Sequence, residues 1–258
     1  MNVDTLAQRL ERAWTTGVPV APLSESDGLT RDDAYGVQHA WNAVRMAGGE
    51  RVVGRKIGLT SAAIRAQANV DEPDYGSLWA SRQYVAIGGR AEAPAKTFVA
   101  PRVEGELAFL LGADVGEGAT AQQVLAATEA VAVSIEIIDS RIRDWRLTIA
   151  DTIADNASYG GFVLGPWSRA LRHADLGALG MVMYQNGEVA ATGAGVESFG
   201  HPARAVAWLA RKLSSFGEHL PAGSIVLSGA LGRAPDVARG DEITLRITDN
   251  PPLTVRFT

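Results

Sequence analysis

The stretch that decides the fold is Pro101-Arg102-Val103-Glu104-Gly105-Glu106-Leu107-Ala108-Phe109-Leu110-Leu111. Its alternation predicts a β-strand with Val103, Gly105, Leu107, Phe109 and Leu111 on one face. Glu104 and Glu106 then project together from the opposite face. Two like charges on one face of an otherwise apolar strand repel each other and are costly to remove from water. The pair therefore points to a specific chemical purpose, unless the strand lies at a sheet edge with that face in water.

A third carboxylate lies in a second apolar stretch, Val131-Ala132-Val133-Ser134-Ile135-Glu136-Ile137-Ile138-Asp139. The β-branched residues around Glu136 are typical of a buried strand, which leaves little room for a solvated face. A divalent cation would compensate the charge of all three carboxylates. Three carboxylates with water form a hard oxygen site that suits Mg²⁺ or Mn²⁺ and keeps positions open for a substrate.

Outward from these strands, hydrophobic periodicity predicts an α+β fold with a strand-rich body of mixed sheets. Residues 1–50 form a predicted N-terminal helical region, and residues 51–258 a catalytic domain continuous with it. Asn186-Gly187 predicts a hairpin, and helices are expected after Thr120 and Pro202. The predicted strands are Arg51–Ile57, Val103–Leu111, Val131–Ile138, Phe162–Leu164, Met181–Gln185, Glu188–Thr192, Ser224–Leu227, Glu242–Ile247 and Leu253–Phe257.

Composition excludes several classes of function. The 258 residues include no cysteine, so a disulfide framework, a thiolate zinc site, an iron–sulfur cluster and a cysteine nucleophile are impossible. Lys and Arg number 24 against 29 Asp and Glu, and no basic stripe occurs, which argues against nucleic-acid binding. The sequence lacks a membrane-length apolar run and a signal-peptide core, so we expect a soluble cytoplasmic protein without membrane partners.

Two further polar positions stand out. Lys56, in Gly54-Arg55-Lys56-Ile57-Gly58-Leu59-Thr60, either stabilises developing negative charge near a metal or is an ordinary exposed strand lysine. Asp71–Gly76 is expected to be an acidic loop, either simply solvated or a mobile lid that delivers a carboxylate. Polar residues are also dense over 139–158, where site construction and ion pairing both remain open. His201, before Pro202, is assigned to a helix start.

Common nucleotide and hydrolase motifs are missing. The sequence contains no GxxxxGK[ST] loop, no GxGxxG leading from a strand into a helix, and no GxSxG. Gly193-Ala194-Gly195 lacks the third glycine and the strand-to-helix context.

From about residue 30 onward the chain resembles the 2-keto-4-pentenoate hydratase family of the fumarylacetoacetate hydrolase superfamily. The matching stretches are GRKIGLTS (54–61), VDEPDYG (70–76), PRVEGELAFLL (101–111), IEIIDSRIRDW (135–145), DTIADNASYGGFVLG (151–165), GHPARAVAWLARKL (200–213) and LSGALG (227–232). The resemblance implies a mixed β-roll and assembly into homo-oligomers. It also implies Mg²⁺ or Mn²⁺ on Glu104, Glu106 and Glu136, proton transfer by Lys56 and Asp74, and substrate near Ser158.

The implied reaction adds water to 2-hydroxypenta-2,4-dienoate or a homologue and gives a 4-hydroxy-2-oxo acid. The sister 2-oxo-3-hexenedioate (4-oxalocrotonate) decarboxylase is the main alternative, and a scaffold subunit associated with a pathway enzyme is another. A C–C bond hydrolase fits less well, since the N-terminal half offers only His39 for a His–Glu pair. Two departures from the family pattern are Gly105 and the segment Asp249–Leu253.

Overall fold

A computed structural model describes residues 2–258, apart from the side chains of Gln67 and Ala68. The helices are α1 (Val3–Thr16), α2 (Leu23–Ser26), α3 (Arg31–Ala47), α4 (Ala62–Ala68), α5 (Ala121–Ala127), α6 (Ile149–Ala154) and α7 (Pro202–Ser214). The strands are β1 (Val52–Gly58), β2 (Asp74–Trp79), β3 (Gln83–Tyr84), β4 (Arg90–Ala93), β5 (Arg102–Leu111), β6 (Thr128–Ile138), β7 (Tyr159–Leu164), β8 (Gly180–Gln185), β9 (Glu188–Ala194), β10 (Ile225–Leu227), β11 (Glu242–Ile247) and β12 (Leu253–Phe257).

The strands form two mixed sheets, which confirms the predicted α+β class. A seven-stranded sheet has the order β2-β1-β10-β5-β6-β7-β3, and a five-stranded sheet has the order β4-β12-β11-β8-β9. The pairs β1–β10, β3–β7 and β4–β12 are parallel, and the other pairs are antiparallel. The two longest strands, β5 and β6, pair along nearly their whole length and lie inside the larger sheet. This interior position matters because both strands carry the suspected carboxylates.

The two sheets pack tightly against each other at Gly105. A Cβ atom at this position would overlap Met181 Sδ of β8 and Leu245 of β11. Gly105 lies on the apolar face of β5, opposite the carboxylates, so the glycine allows the second sheet to pack there. The departure from the family pattern at this position therefore has a packing reason in this chain.

The N-terminal helices begin at residues whose side chains cap them. Asn2 and Thr30 accept hydrogen bonds from the backbone N–H groups of Thr5 and Asp33, at the starts of α1 and α3. Leu10 of α1 and Trp41 of α3 are fully buried in the same hydrophobic core as the sheets. The helical N-terminal region thus shares its core with the strand-rich body. In the described part of the chain, no helix is long and apolar enough to cross a membrane.

Several local predictions are confirmed and others are wrong. The Asn186-Gly187 hairpin forms, Thr120 and Gln123 form a capping box, and His201 caps α7 through a hydrogen bond from the Ala203 N–H. The acidic loop at Asp71–Gly76 is wrong in part, since Asp74 begins the buried strand β2. Strands β3 and β4 and helices α2, α4 and α6 were not predicted, because each is short and carries a weak periodic signal.

Candidate active site

Three glutamates converge on the interior strands β5 and β6. Glu104 pairs directly with Glu136 across the antiparallel ladder, and Glu106 lies opposite Ser134, so all three side chains leave the same face. One carboxylate oxygen of each lies within 4.8 Å of the other two. Glu106 and Glu136 are fully buried. The alternative that Glu104 and Glu106 line the solvated face of an edge strand is therefore wrong.

The trio keeps acceptor oxygens that the rest of the protein does not use. Glu106 accepts a 2.8 Å hydrogen bond from the Gly229 N–H through Oε2. Among the described residues, Glu106 Oε1 and both oxygens of Glu136 have no hydrogen-bond donor. Burial and the neighbouring carboxylates raise the pKa of Glu106 well above its ordinary value. Burial also raises the pKa of Glu136, to about 8, although Lys56 opposes the shift. Unpaired buried acceptors of this kind fit a hard divalent cation.

Lys56 of β1 is buried beside this trio, so its interpretation as an exposed lysine is wrong. Its Nζ donates a 2.9 Å hydrogen bond to the carbonyl of Ala157. The same atom lies 3.2 Å from Glu136 Oε1, close enough for an ion pair, although the angle falls outside hydrogen-bond geometry. Burial lowers the pKa of Lys56, but the carboxylates of Glu136, Glu104 and Asp74 outweigh it and the net shift is upward. The side chain is accordingly an ammonium ion.

Asp74 is the first residue of β2 and is 1% exposed. Its Oδ2 accepts a hydrogen bond from Thr152 of α6. Its Oδ1 lies so close to Gly58 that a Cβ atom at that position would overlap it. Burial raises the pKa of Asp74, although the positive charge of Lys56 opposes the shift. The alternative of a mobile lid that delivers this carboxylate is therefore wrong, because Asp74 lies in a buried strand paired with β1, beside Lys56.

Ser158 ends a strained segment. Asn156, Ala157 and Ser158 have φ values of 55°, 51° and 51°, a left-handed conformation that non-glycine residues rarely adopt. Such residues cost on the order of 1 kcal/mol each and persist only where the surroundings hold them. Here the Asn156 side chain bonds both the N–H and the carbonyl of Ser77 in β2. The segment presents the Ala157 carbonyl to Lys56 and leaves the Ser158 Oγ without a partner among the described residues.

The remaining polar residues of 139–158 have structural contacts. Arg141 and Asp155 form a fully buried ion pair at 2.6 Å, and Arg141 also donates to the Tyr159 carbonyl. Asp139 accepts hydrogen bonds from the backbone of Val99 and Ala100. An ion pair and hydrogen bonds to the backbone therefore account for these residues.

A cavity of about 250 Å³ brings together Lys56, Asp74, Glu104 and Ser158. Its lining also includes the apolar side chains of Ile138, Trp145, Leu147 and Ile149. We did not predict these apolar residues as site residues. The sequence signal that could have found them is the alternation of Trp145, Leu147 and Ile149 with polar residues. Charged residues are dense in that region and obscured it. A larger surface groove of about 750 Å³ runs along residues 52–55 and 217–225, apart from these side chains.

The arrangement combines a site for a cation, a buried ammonium ion, a buried carboxylate and a small apolar cavity. Such a combination is typical of the active site of a metal-assisted enzyme that acts on a small organic acid. The chain belongs to the fumarylacetoacetate (FAA) hydrolase C-terminal family, whose sequence profile matches residues 51–258.

Within that family the similarity is to hydratases. The chain is 42% identical to 2-hydroxyhexa-2,4-dienoate hydratase of Comamonas testosteroni, over 99% of this chain and 97% of the relative. It is 44% identical to 2-keto-4-pentenoate hydratase of Paraburkholderia xenovorans (strain LB400), over 91% of this chain and 87% of the relative. These similarities confirm the family resemblance drawn from the sequence motifs.

A solved structure also matches over nearly the whole chain. It is 4-oxalocrotonate decarboxylase from Pseudomonas putida G7, complexed with magnesium and adipate, with a TM-score of 0.94 and 35% identity. The match covers 99% of this chain and 97% of that chain. Fumarylpyruvate hydrolase from Pseudomonas aeruginosa, in complex with Mn²⁺ and pyruvate, has a TM-score of 0.63 and 17% identity, which indicates a shared fold.

Proposed function

We propose that the protein is a divalent-metal-dependent hydratase of 2-hydroxypenta-2,4-dienoate, or of a homologue, that forms a 4-hydroxy-2-oxo acid during meta-cleavage degradation of aromatic compounds. The observation that carries this proposal is the cluster of Glu104, Glu106 and Glu136 beside Lys56, at a small cavity lined by Glu104, Lys56 and Asp74. The similarity to hydratases over most of the chain supports the reaction class.

The three glutamates would hold Mg²⁺ or Mn²⁺. Their unpaired buried oxygens fit such an ion, and carboxylate ligands suit both metals. When bound, the metal supplies a Lewis acid and a point of attachment for the carboxylate and 2-oxygen of the substrate.

The reaction has two stages. A proton added to C5 of the dienol, with loss of the proton of its 2-hydroxyl group, converts the substrate to its tautomer 2-oxopent-3-enoate. Water then adds its oxygen to C4, a proton is delivered to C3, and the product is 4-hydroxy-2-oxopentanoate. Both stages pass through negative charge on the 2-oxygen, and the addition of water also needs a group that accepts a proton.

Lys56 provides fixed positive charge for that oxygen. Its ammonium group is held by the Ala157 carbonyl and by Glu136, and it is removed from water. A charge that is already oriented in a site of low dielectric stabilises developing negative charge more strongly than the same charge in water.

Asp74 is our candidate for the group that accepts the proton from water. It is buried, its pKa is raised by burial, and Thr152 fixes its orientation. A raised pKa makes a carboxylate a stronger base. Ser158 Oγ has no hydrogen-bond partner among the described residues. It would therefore contact the substrate, since Ser158 lines the same cavity.

The alternative activity is decarboxylation of 2-oxo-3-hexenedioate. The structural match to 4-oxalocrotonate decarboxylase favours it, since the folds agree over nearly the whole chain. A scaffold subunit without catalysis would have no chemical reason to bury three mutually repelling carboxylates with a lysine. His39, the histidine available for a C–C hydrolase, lies in α3 with Nε2 3.2 Å from the Tyr75 hydroxyl.

Product analysis by NMR tests the reaction. Freshly generated 2-hydroxypenta-2,4-dienoate and 2-hydroxymuconate would each be incubated with protein and Mg²⁺, with EDTA as the control. We expect the dienoate to give 4-hydroxy-2-oxopentanoate and EDTA to abolish the reaction. Loss of CO₂ from the muconate tautomer without hydration of the dienoate would make the protein a decarboxylase.

A matched pair of variants tests the metal site. Glu106→Gln keeps the shape of the side chain but removes a charge, so we expect metal affinity and turnover to fall at least tenfold. Glu129→Gln is the control, because Glu129 lies in the same sheet but pairs with the exposed Arg169. Metal affinity and turnover of this variant should stay unchanged. Full activity and full metal affinity of Glu106→Gln would refute the assignment.

We also propose that the protein is cytoplasmic and forms a homo-oligomer, with association to a downstream or sister pathway enzyme as a further expectation from the family resemblance. Light scattering of the purified protein, alone and mixed with the downstream enzyme, tests both forms of assembly. A monomer at micromolar concentration would contradict the homo-oligomer.

A further inference from the structure

Ser134 of β6 carries a buried hydroxyl group next to the three glutamates. The residue is fully buried, and its Oγ has no hydrogen-bond partner among the described residues. A buried hydroxyl group that makes no hydrogen bond is costly, and such groups are rare in native proteins. The hydroxyl group of Ser134 therefore calls for a partner that forms in another state of the site.

The sheet leaves Ser134 few possible partners. Its neighbours on the same face are Ala132 and Glu136 along β6, Glu106 opposite on β5 and Leu164 opposite on β7. Among these four side chains, only the two glutamates carry polar atoms. Directly opposed residues of an antiparallel pair have Cβ atoms about 4.5–5.5 Å apart, so the hydroxyl group and the Glu106 carboxylate lie within reach of each other.

Glu106 is held on one side only. Its Oε2 accepts the hydrogen bond from the Gly229 N–H, whereas its Oε1 has no donor among the described residues. Ser134 offers the hydroxyl donor that Oε1 lacks, and rotation about its Cα–Cβ bond moves Oγ without moving the strand. Each carboxylate oxygen has two acceptor positions, so Oε1 can accept a hydrogen bond and still bind a cation.

We propose that Ser134 is a positioning residue for the metal site, whose hydroxyl group donates a hydrogen bond to Glu106 Oε1 when a divalent cation is bound. The proposal rests on the proposed function, since it takes the three glutamates as the metal ligands. With Gly229 on one oxygen and Ser134 on the other, the carboxylate is fixed from both sides. Loss of a hydrogen bond that orients a metal ligand typically costs 10–100-fold in metal affinity.

A fixed carboxylate also affects which cation binds. Mg²⁺ requires a nearly ideal octahedron of ligands, whereas Ca²⁺ accepts irregular and flexible coordination. Ser134 should therefore favour Mg²⁺ over Ca²⁺, and its removal should weaken Mg²⁺ binding more than Ca²⁺ binding. A residue that only fills space would not change the ratio of the two affinities.

Calorimetric titration of the EDTA-treated and dialysed protein with each cation, at fixed pH, tests the proposal without turnover. Ser134→Ala should weaken Mg²⁺ binding about tenfold and Ca²⁺ binding by less. Its melting temperature in EDTA should stay the same or rise, because the lost hydroxyl group has no partner in the metal-free protein.

Thr128→Val is the matched control in the same strand. Thr128 is also buried, but its hydroxyl group donates a 2.7 Å hydrogen bond to the Val124 carbonyl of α5. This variant should lower the melting temperature and leave both cation affinities unchanged. The two variants thus predict opposite results for stability and for metal binding.

A second pair of variants isolates the hydroxyl group from the shape of the side chain. Ser134→Thr and Ser134→Val introduce side chains of the same shape, so any crowding is common to both, and only threonine keeps the hydroxyl group. Ser134→Thr should bind Mg²⁺ about tenfold more tightly than Ser134→Val.

The outcomes separate this inference from the proposed function. Unchanged Mg²⁺ affinity in Ser134→Ala, an equal loss for Mg²⁺ and Ca²⁺, or equal Mg²⁺ affinities of Ser134→Thr and Ser134→Val would overturn the role of Ser134 while the hydratase reaction stands. If the affinities follow expectation but the dienoate is not hydrated, the role of Ser134 stands and the hydratase reaction fails.

Discussion

Lys56 Nζ lies 3.2 Å from Glu136 Oε1, and both side chains are almost completely removed from solvent. Lys56 belongs to β1 and Glu136 to β6, so the contact joins two strands that are separated by β10 and β5 in the larger sheet. The positive charge offsets part of the repulsion among the three glutamates. The same contact means that Lys56 and a bound cation compete for one group of carboxylates.

Replacement of Lys56 by Met should separate catalysis from metal binding. Removal of the ammonium ion raises the negative potential at Glu136, so Mg²⁺ should bind at least as tightly as before. Turnover should fall about 10²–10³-fold, because the fixed charge for the developing oxyanion is lost. Lys96→Met, at an exposed lysine, is the control. If Lys56→Met weakens Mg²⁺ binding instead, the lysine helps to hold the metal site together.

Replacement of Gly58 by Ala should disturb Asp74 while leaving the three glutamates in place. The new methyl group would overlap Asp74 Oδ1 and force the carboxylate to move. Misplacement of a catalytic group by about 1 Å can cost 10²-fold, so we expect kcat to fall at least tenfold with unchanged Mg²⁺ affinity. Gly116→Ala adds a methyl group in open space and should have no effect. Normal turnover by Gly58→Ala would exclude a precise role for Asp74.

The metal-free protein should lose stability as pH rises. The pKa of Glu136 is raised by burial from its ordinary value of 4.5 to about 8. A raised pKa in the folded state contributes stability that is complete below about pH 4.5 and is lost through about pH 8. In EDTA, the melting temperature should therefore fall between pH 5.5 and 8.5. A divalent cation needs the deprotonated carboxylates, so the stabilisation by Mg²⁺ should grow over the same interval.

Glu136→Gln supplies the control for this pH series. The amide does not titrate, so the decrease in EDTA should be smaller than in the unmodified protein, and the effect of Mg²⁺ should be reduced at every pH. An EDTA series with the same slope in both proteins would assign the pH dependence to other groups.

The buried pair of Arg141 and Asp155 should be essential for stability. Arg141→Met leaves the Asp155 carboxylate buried without its cationic partner, which typically costs 3–5 kcal/mol. At about 2–4 °C per kcal/mol, the melting temperature should fall by roughly 10 °C. Arg169→Met breaks an exposed pair with Glu129 and should leave the melting temperature unchanged. Equal decreases in melting temperature for the two variants would show that the buried pair contributes no more to stability than the exposed pair.

The long elements were predictable from the sequence, because their periodic signal extends over many residues. The alternation in 101–111 predicted β5, and a helix was expected after Pro202, where α7 forms. Asp74 was assigned to a loop because Asp, Pro and Gly dominate the local sequence. Tertiary contacts make this segment a strand instead. The Gln38 side chain donates a hydrogen bond to the Tyr75 carbonyl of β2, and the Ser77 N–H donates one to the Asn156 side chain.

The charged part of the site was also predictable, but its apolar part was not. Glutamates on neighbouring buried strands call for a compensating charge, which drew attention to Glu104, Glu106 and Glu136. No such conflict marks Leu147 or Ile149, because an apolar residue in a sequence gives no sign of whether it faces the core or a cavity. The left-handed conformation of 156–158 was hidden for a similar reason, since it depends on the distant Ser77 backbone.

The location of the glutamates on β5 and β6 has a consequence for dynamics. Strands inside a sheet open only in the rarest, near-global fluctuations, whereas edge strands and termini fray easily. Amide hydrogen exchange at Glu106 and Glu136 should therefore be among the slowest in the chain, and the spacing of the carboxylates is maintained as long as the protein is folded. Any adjustment to a substrate is therefore expected from the loops and short elements that line the cavity, and not from the two interior strands.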